Sequence, residues 1–219
     1  MPHRSYDQYC AVSRALDAVG ERWTLLVARE LQAGPRRYTD LHADLPGVST
    51  DVLASRLRDM ERGGLVVRRP LTPRGGAGLY ELTERGRALL PVLRALAEFG
   101  APELEERRPT DAFRAHWLAP LLLGVVERTC PGASGTVEVR LETGVFHVRP
   151  AGTAGGGAGY GDGPAERPDA VLSLSEEACV RIARGVSSPA EAVERGEASV
   201  EGEGPIARAL RAAPEFTPS

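Results

Sequence analysis

A helical repeat of apolar residues stands out between residues 49 and 64. Leu53, Leu57 and Met60 follow one another at the spacing i, i+4 and i+7, which predicts one buried stripe along an α-helix. Ser49 precedes the repeat and is predicted to cap it, because its hydroxyl oxygen can accept a backbone N–H that the first turn leaves unpaired. Gly63 and Gly64 follow the repeat and can end the helix with a left-handed cap. The pattern predicts an amphipathic helix that packs by one face.

Two extended segments separated by a glycine-rich turn follow this helix. Residues 65–67 (LVV) and 79–82 (LYEL) are typical of strands, and the turn at 72–78 (TPRGGAG) carries Arg74 at its tip. An isolated Arg-Gly turn is most often an ordinary solvated hairpin. A hairpin directly after a capped helix with a polar outer face instead favours a recognition helix followed by a wing.

The outer face of the predicted helix carries short polar and guanidinium side chains. Such groups can reach base edges and phosphates in a major groove, where Arg reads guanine and Ser or Thr is permissive. Asp51 argues against this, because a carboxylate repels phosphate unless it faces a cytosine amino group or holds a neighbouring Arg. The predicted DNA-contacting residues of the helix, the hairpin and the segment upstream are Arg36, Arg37, Ser49, Thr50, Asp51, Ser55, Arg56, Arg58, Arg68 and Arg74.

Two shorter helical patterns lie upstream and complete a three-helix scaffold. The first stops at Gly34, and its apolar positions are Trp23, Leu26, Val27 and Leu31. The second stops at Pro46, and its apolar positions are Tyr38, Leu41 and Leu45. Both stripes are predicted to be core. Arg36 and Arg37 lie between the two helices, where surface solvation explains them nearly as well as phosphate contact.

Five motifs occur in a fixed order between residues 8 and 100: a cysteine near the start, the helix opening ERWTLL, the step GPRRYTDL, the run RLRDMERGGL and the close YELTERG. This series resembles the HxlR-type winged helix-turn-helix transcriptional regulators of bacteria. The resemblance implies a homodimer that binds a pseudo-palindromic operator in double-stranded DNA, with repression as the family-level expectation. It also implies that helices outside the winged helix form the dimer contact.

Two apolar faces that are wide for a small domain fit such a contact. One is formed near the amino terminus by Val12, Leu16 and Val19. The other follows Thr83, a predicted N-cap, and is formed by Leu89, Leu90, Leu93, Leu96 and Ala97. Pro91 within the second pattern is predicted to kink or divide the helix, because it removes one N–H and crowds the preceding turn.

Cys10 lies just before the first of these faces. The resemblance makes it a redox candidate, since family members often carry a thiol at the corresponding position and some sense electrophiles or oxidants with it. A helix amino terminus can lower a thiol pKa and raise its reactivity. A lone cysteine is, however, more often a small buried hydrophobe. The sequence leaves both interpretations open.

Charge divides the chain into two halves of different character. Residues 1–100 hold 15 arginines and 12 acidic residues, whereas residues 101–219 hold 12 and 18, so only the first half suits DNA. Every basic residue is arginine, which indicates a GC-rich coding bias. The three cysteines show no metal-ligand spacing, and neither a leader nor a membrane span is apparent. We therefore expect no metal, no cofactor, no membrane partner, and a cytoplasmic location with nucleoid association on DNA binding.

The length of 219 residues exceeds one winged module and predicts two domains, at 1–104 and 105–219. A helix is expected at 113–126, strands at 135–142, 145–149, 169–173 and 198–202, and a glycine-rich loop at 152–163. Further helices are expected after Ser175, Ser188 and Pro205. The predicted fold class is α+β, a winged helix followed by a layer of helices on a mostly antiparallel sheet.

Four features of residues 110–216 occur together: the strand DAVLSL, a helix that ends in glycine, the helix start SPAEA and a glycine-bounded last strand. They are similar to the sterol carrier protein type 2 (SCP2) domain, which implies a hydrophobic tunnel that binds lipids or other apolar small molecules without chemistry. Plain core is the commoner role for any one such residue. The candidate lining residues are Trp117, Leu121, Leu122, Val125, Phe146, Ile182, Leu210 and Phe216.

The sequence thus predicts a dimeric DNA-binding regulator tuned by an apolar ligand in its second domain. One alternative is a winged-helix regulator whose second domain serves only dimerisation or spacing, with Cys10 as a thiol sensor. An enzyme is disfavoured, because His116 and His147 lie near no Ser/Asp or Cys/Asp arrangement that the sequence reveals.

Overall fold

The structure, a computed structural model, describes residues 5–71, 78–151 and 158–212. The chain divides into two units, Met1–Leu90 and Pro91–Ser219, each with its own internal packing. The predicted division after residue 104 places one more helix in the first half, and it stays a prediction. The two units are described separately.

The first unit is a set of helices with a small antiparallel sheet. Its elements are α1 (Ala11–Val19), α2 (Thr24–Gln32), β1 (Arg36–Arg37), α3 (Tyr38–Asp44), α4 (Thr50–Arg62), β2 (Val66–Pro70), β3 (Gly78–Leu82) and α5 (Glu84–Arg87). The next helix, α6 (Leu90–Gly100), begins at the last residue of this unit.

The structure confirms the predicted amphipathic helix as α4. The Ser49 hydroxyl accepts the backbone N–H of Val52 at 3.3 Å, and the stripe Leu53, Leu57 and Met60 is almost fully buried. Gly64 adopts the left-handed conformation, with φ of 68°. The apolar stripe therefore fixes which face of α4 remains outside.

The strands after α4 form the predicted hairpin, and a short strand that the sequence did not reveal joins it. The described sheet has the order β1-β3-β2, with both pairings antiparallel. Tyr80 on the central strand lies opposite Arg36 on one side and Arg68 on the other. The turn 72–77, with the predicted tip Arg74, lies outside the described residues.

The structure corrects two details of the predicted α2 stripe. Val27 and Leu31 are buried as expected, but Leu26 is 39% exposed and is not core. Trp23 lies before the helix in a left-handed conformation, with φ of 77°. Trp23 is therefore a turn residue, and α2 begins one residue later than the apolar spacing indicates.

The helical pattern after Thr83 is divided into two helices, as the presence of Pro91 led us to predict. The Thr83 hydroxyl accepts the N–H of Gly86, and the helix breaks between α5 and α6. Pro91 then lies in the first turn of α6, where a missing N–H removes no intrahelical hydrogen bond.

The second unit places helices on a mixed sheet. After α6 and two short 3₁₀ turns come α7 (Ala119–Thr129), β4 (Val137–Leu141), β5 (Gly144–Arg149), β6 (Gly159–Asp162), β7 (Ala170–Leu174), α8 (Glu176–Ala183), α9 (Pro189–Glu194), β8 (Ala198–Glu201) and α10 (Pro205–Arg211). The described strands have the order β6-β5-β4-β7-β8, in which β4 and β7 are parallel and the other pairs antiparallel.

Most boundaries of the second unit agree with the sequence patterns. Ser175 caps α8, and Ser188 with Glu191 forms the predicted capping box of α9. The expected loop at 152–163 is wrong at its end, where β6 forms; residues 152–157 lie outside the described residues. Glycines at 159 and 161 hid this strand, since glycine disfavours strands in sequence. The resemblance to SCP2 domains stays a prediction.

Gly86 shows why the motif YELTERG ends in glycine. A Cβ at this position would collide with the carbonyl oxygen of Leu65 and lie 2.9 Å from Cδ2 of Leu82. We predict that Gly86→Ala lowers the free energy of unfolding of the first unit by about 1–3 kcal/mol, because the backbone of Leu65, just before β2, must move. The control Gly100→Ala, whose Cβ meets nothing within 4 Å, stays within about 0.5 kcal/mol. Denaturant unfolding followed by circular dichroism measures both, and equal stability of Gly86→Ala and wild type would contradict this packing.

Candidate nucleic-acid interface

The outer face of α4 presents an arginine, Arg58, that forms no polar contact with the side chains of the described residues. Arg58 is exposed, on the side opposite the buried stripe, and among the described residues it forms no hydrogen bond or ion pair. Thr50 and Asp51 are exposed in the first turn, and Ser55 is half-buried. A guanidinium without a protein partner on this face is available to a base edge or a phosphate.

Arg56, also predicted to contact DNA, is occupied within the protein. Its side chain is only 15% exposed, and its guanidinium lies 3.4 Å from Asp59 and 3.7 Å from Glu21. Arg62 pairs with the same Asp59. The ion pair with Glu21 joins α4 to the segment before α2, so the contacts of Arg56 orient the helix.

Of the two arginines of β1, one lies beside a carboxylate within the protein and the other is exposed. The Arg36 side chain is 16% exposed and lies 3.8 Å from the Asp44 carboxylate at the end of α3. Arg37 is exposed at the start of α3, where its backbone N–H donates to Asp40. Of the pair, only Arg37 presents its side chain to solvent.

The hairpin holds its arginines against neighbouring strands. The Arg68 guanidinium lies 6.0 Å from the centre of the Tyr80 ring, and Arg69 pairs with Glu81 at 2.8 Å. Burial raises the pKa of the Tyr80 phenol, and the positive charge of Arg68 opposes that shift. Arg74, predicted for the tip of the wing, lies outside the described residues.

A cleft of about 460 Å³ opens between the start of α3 and the hairpin. The Tyr38 hydroxyl there donates to the backbone carbonyl of Thr50 at 2.7 Å, which ties α3 to the first residue of α4. The sequence placed Tyr38 in the core because a tyrosine at helical spacing looks apolar. The lining residues are Arg37, Tyr38, Thr39, Arg68, Gly78 and Tyr80.

Cys10 lies at the N-cap of α1 and is exposed, so the buried-hydrophobe interpretation is wrong for it. Hydrogen bonds from the backbone N–H groups of Ser13 and Val12 hold the pKa of its thiol below the usual range. The other two cysteines are buried, and burial raises the pKa of Cys179 to about 12.

The candidate ligand-lining residues of the second unit lie inside it. Trp117 is half-buried, and Phe216 lies outside the described residues. Such burial is what plain core also shows, so a tunnel role stays a prediction. The fully or almost fully buried members are Leu121, Leu122, Val125, Phe146, Ile182 and Leu210.

The structure shows two histidine contacts that the sequence did not reveal. Nδ1 of His116, a buried residue, lies 3.4 Å from the Asp162 carboxylate, and Nδ1 of His147 lies 3.1 Å from the carbonyl oxygen of Gly163. Within the described ranges, no three metal-ligating side chains gather into a site. No helix in the described part of the chain has both the length and the apolar character needed to cross a bilayer.

Comparison with known proteins agrees with this geometry. Residues 18–108 match the family model of HxlR-like helix-turn-helix proteins. An uncharacterised HTH-type transcriptional regulator of Synechocystis is 38% identical over 97 residues, which cover 44% of this chain and 72% of that protein. The HTH-type transcriptional regulator YodB of Bacillus subtilis is 33% identical over 82 residues, which cover 37% of this chain and 73% of that protein.

A solved structure of reduced YodB from B. subtilis shares 28% identity with this chain. The match covers 46% of the chain and all of that structure, with a TM-score of 0.39. These relatives are transcriptional regulators and not enzymes. On its capped α4, its hairpin and these relatives, the chain belongs to the HxlR-like family of helix-turn-helix transcriptional regulators.

Proposed function

We propose that this regulator is a repressor that binds a pseudo-palindromic operator as a homodimer, with α4 in the major groove and the hairpin on the adjacent backbone. The observation that carries the proposal is Arg58, exposed on the outer face of α4 and without a partner among the described residues. Such a regulator acts on the chromosome, so we place it in the cytoplasm at the nucleoid.

The geometry of α4 supports docking of its outer face against bases. An α-helix fits the width of the major groove, and bidentate Arg contacts with guanine are the commonest specific contacts there. Ser55 supplies a short hydroxyl on this face and Thr50 lies on its flank, whereas Arg62 at the far end is paired with Asp59. Base discrimination is therefore assigned to Arg58 rather than to every arginine of the helix.

We predict that Arg58→Ala weakens binding to the selected operator by roughly 5- to 150-fold and relaxes preference at one base pair, the loss expected for one bidentate base contact of about 1–3 kcal/mol. Arg62→Ala is the matched control, because it removes the same charge from the same helix. Fluorescence anisotropy with operator and scrambled duplexes measures both, with circular dichroism to show intact folding. Equal operator affinity for Arg58→Ala and wild type would remove Arg58 from the interface.

Exposed apolar side chains support the homodimer. On α1, Val12 is 66% exposed and Leu16 lies beside it one turn later. On α6 the predicted face is wrong in part, because Leu90 and Leu93 are buried; the exposed apolar residues at helical spacing are Val92, Leu96 and Phe99. A monomer seldom leaves such stripes to water, so we assign both helices to contact with a second copy of the chain.

Leu16→Asp is predicted to shift the chain from dimer to monomer, because it places a carboxylate in the apolar contact. Sedimentation velocity at micromolar concentration reports the change. Val186→Asp puts the same charge on another exposed apolar residue, outside both helices, and leaves the mass unchanged. A dimer that persists in Leu16→Asp would move the interface away from α1.

A second candidate function, thiol sensing, is favoured by the position of Cys10. Its sulfur is exposed at a helix N-cap and its pKa is lowered, the conditions under which a thiolate forms and reacts. In this alternative the second unit serves only dimerisation or spacing. Tuning by an apolar ligand remains a separate proposal, for which the buried residues of that unit give no direct support.

The lowered pKa of Cys10 predicts a specific pH dependence. The thiolate is the reactive form, so alkylation by iodoacetamide should reach half its maximal rate at a lower pH than for a free cysteine peptide. Cys130 and Cys179 should react only after unfolding, and Cys10→Ser should remove the fast phase. Mass spectrometry of the labelled protein follows each site. Sensing further requires that alkylation change operator affinity; unchanged affinity would end this alternative.

A further inference from the structure

We propose that the cleft between α3 and the hairpin binds one phosphate group of the DNA backbone, and that Gly78 and Tyr80 are positioning residues that hold Arg68 at its wall. The inference rests on the proposed function, since the phosphate belongs to the bound duplex. It goes beyond that function by assigning a binding site to a cleft whose residues act together.

The lining of the cleft has the chemistry of an oxyanion site. Arg37 and Arg68 bring two permanent positive charges, and Thr39 brings an exposed hydroxyl that donates to the neighbouring Asp40 carboxylate at 3.3 Å. None of the described residues that line the cleft is acidic. Guanidinium and hydroxyl groups are the usual partners of phosphate oxygens in protein–DNA complexes.

Gly78 allows the Arg68 side chain to cross the strand. A Cβ at residue 78 would lie 2.7 Å from Nε and 3.0 Å from Cγ of Arg68, and 3.1 Å from the carbonyl oxygen of Arg69. Real Cβ atoms do not approach the middle of a side chain so closely. Any residue other than glycine must therefore push Arg68 off its path over β3.

Tyr80 holds the same guanidinium from the neighbouring position. It lies directly opposite Arg68 in the β2–β3 register, and the guanidinium carbon is 6.0 Å from the ring centre. An arginine over an aromatic face is stabilised by the ring quadrupole. Gly78 and Tyr80 together give Arg68 one preferred course along the hairpin.

The cleft is also tied to the helix that faces the bases. Tyr38, which lines it, donates its hydroxyl hydrogen to the carbonyl of Thr50 at the start of α4. A phosphate in the cleft is therefore held at a fixed place relative to α4. Contacts of this kind set the register of a recognition helix on the duplex and carry no sequence information themselves.

The source of the phosphate follows from this connection. The link between Tyr38 and α4 would not strengthen the binding of a free anion. It would, however, place a bound backbone phosphate at a defined position relative to the neighbouring bases. The cleft is open and larger than a single phosphate, which leaves room for the flanking sugars.

The salt dependence of DNA binding tests the inference. Loss of one phosphate contact reduces the slope of log affinity against log salt by about 0.9, which corresponds to roughly eightfold weaker binding at 0.1 M salt. We expect this change in Arg68→Ala and most of it in Gly78→Ala, on operator and random duplexes alike. In the double variant Gly78→Ala/Arg68→Ala, the effect should equal that of Arg68→Ala alone. Gly204→Ala is the glycine control, because Gly204 lies outside the first unit and outside α6, and the nearest atom to a Cβ there is 4.0 Å away.

Tyr80→Leu provides a second route to the same result if Gly78→Ala lowers stability, since it removes the aromatic face and keeps strand packing. An unchanged salt slope in Arg68→Ala overturns the phosphate site. A Gly78→Ala effect that persists in the Arg68→Ala background overturns the positioning role. Wild type that binds no duplex at all overturns the proposed function itself, so the failures are distinguishable.

Two further arms identify the source of the phosphate. Duplexes with single neutral methylphosphonates should contain one position per half-site at which wild type and Arg68→Ala bind equally well. Inorganic phosphate titrated alone should compete only at high millimolar concentration. Competition by micromolar inorganic phosphate, lost in Arg68→Ala, would assign the cleft to a free anion and overturn the DNA source.

Discussion

Burial of the stripe Leu53, Leu57 and Met60 is the constraint on which the interface depends. Because these three side chains are almost fully removed from water, α4 has one rotation about its own axis that keeps its core intact. That rotation leaves Arg58 outside. The Ser49 cap and the left-handed Gly64 then set where the helix begins and ends, so its polar face is fixed before any DNA is present.

Polar contacts with neighbouring elements then fix the orientation of α4 and occupy some of its arginines. Arg56 forms ion pairs with Asp59 and Glu21. Arg36 lies beside Asp44, and the Tyr38 hydroxyl donates to the Thr50 carbonyl. These contacts orient α4 against its neighbours. Of the described arginines that were predicted to contact DNA, three are exposed, namely Arg37, Arg58 and Arg68, which is fewer than the sequence suggests.

The helix, its cap and the hairpin were predictable because hydrophobic spacing, glycine and capping chemistry are local signals. The division of arginines into occupied and outward-facing ones was not, since the partners of Arg56 and Arg36 depend on tertiary neighbours such as Glu21 and Asp44. The strands β1 and β6 were missed for a similar reason, because two arginines or a glycine pair form a strand only when a neighbouring strand pairs with them. The second unit was predictable as helices on a sheet, but burial alone does not tell a ligand tunnel from a core.

Selection of duplexes from a random-sequence pool by the purified full chain, at moderate ionic strength, tests the central claim most directly. The account predicts enrichment of one inverted repeat whose half-sites are separated by about one turn of the double helix, as two copies of α4 in successive major grooves require. A pool that remains unenriched after repeated rounds would contradict it.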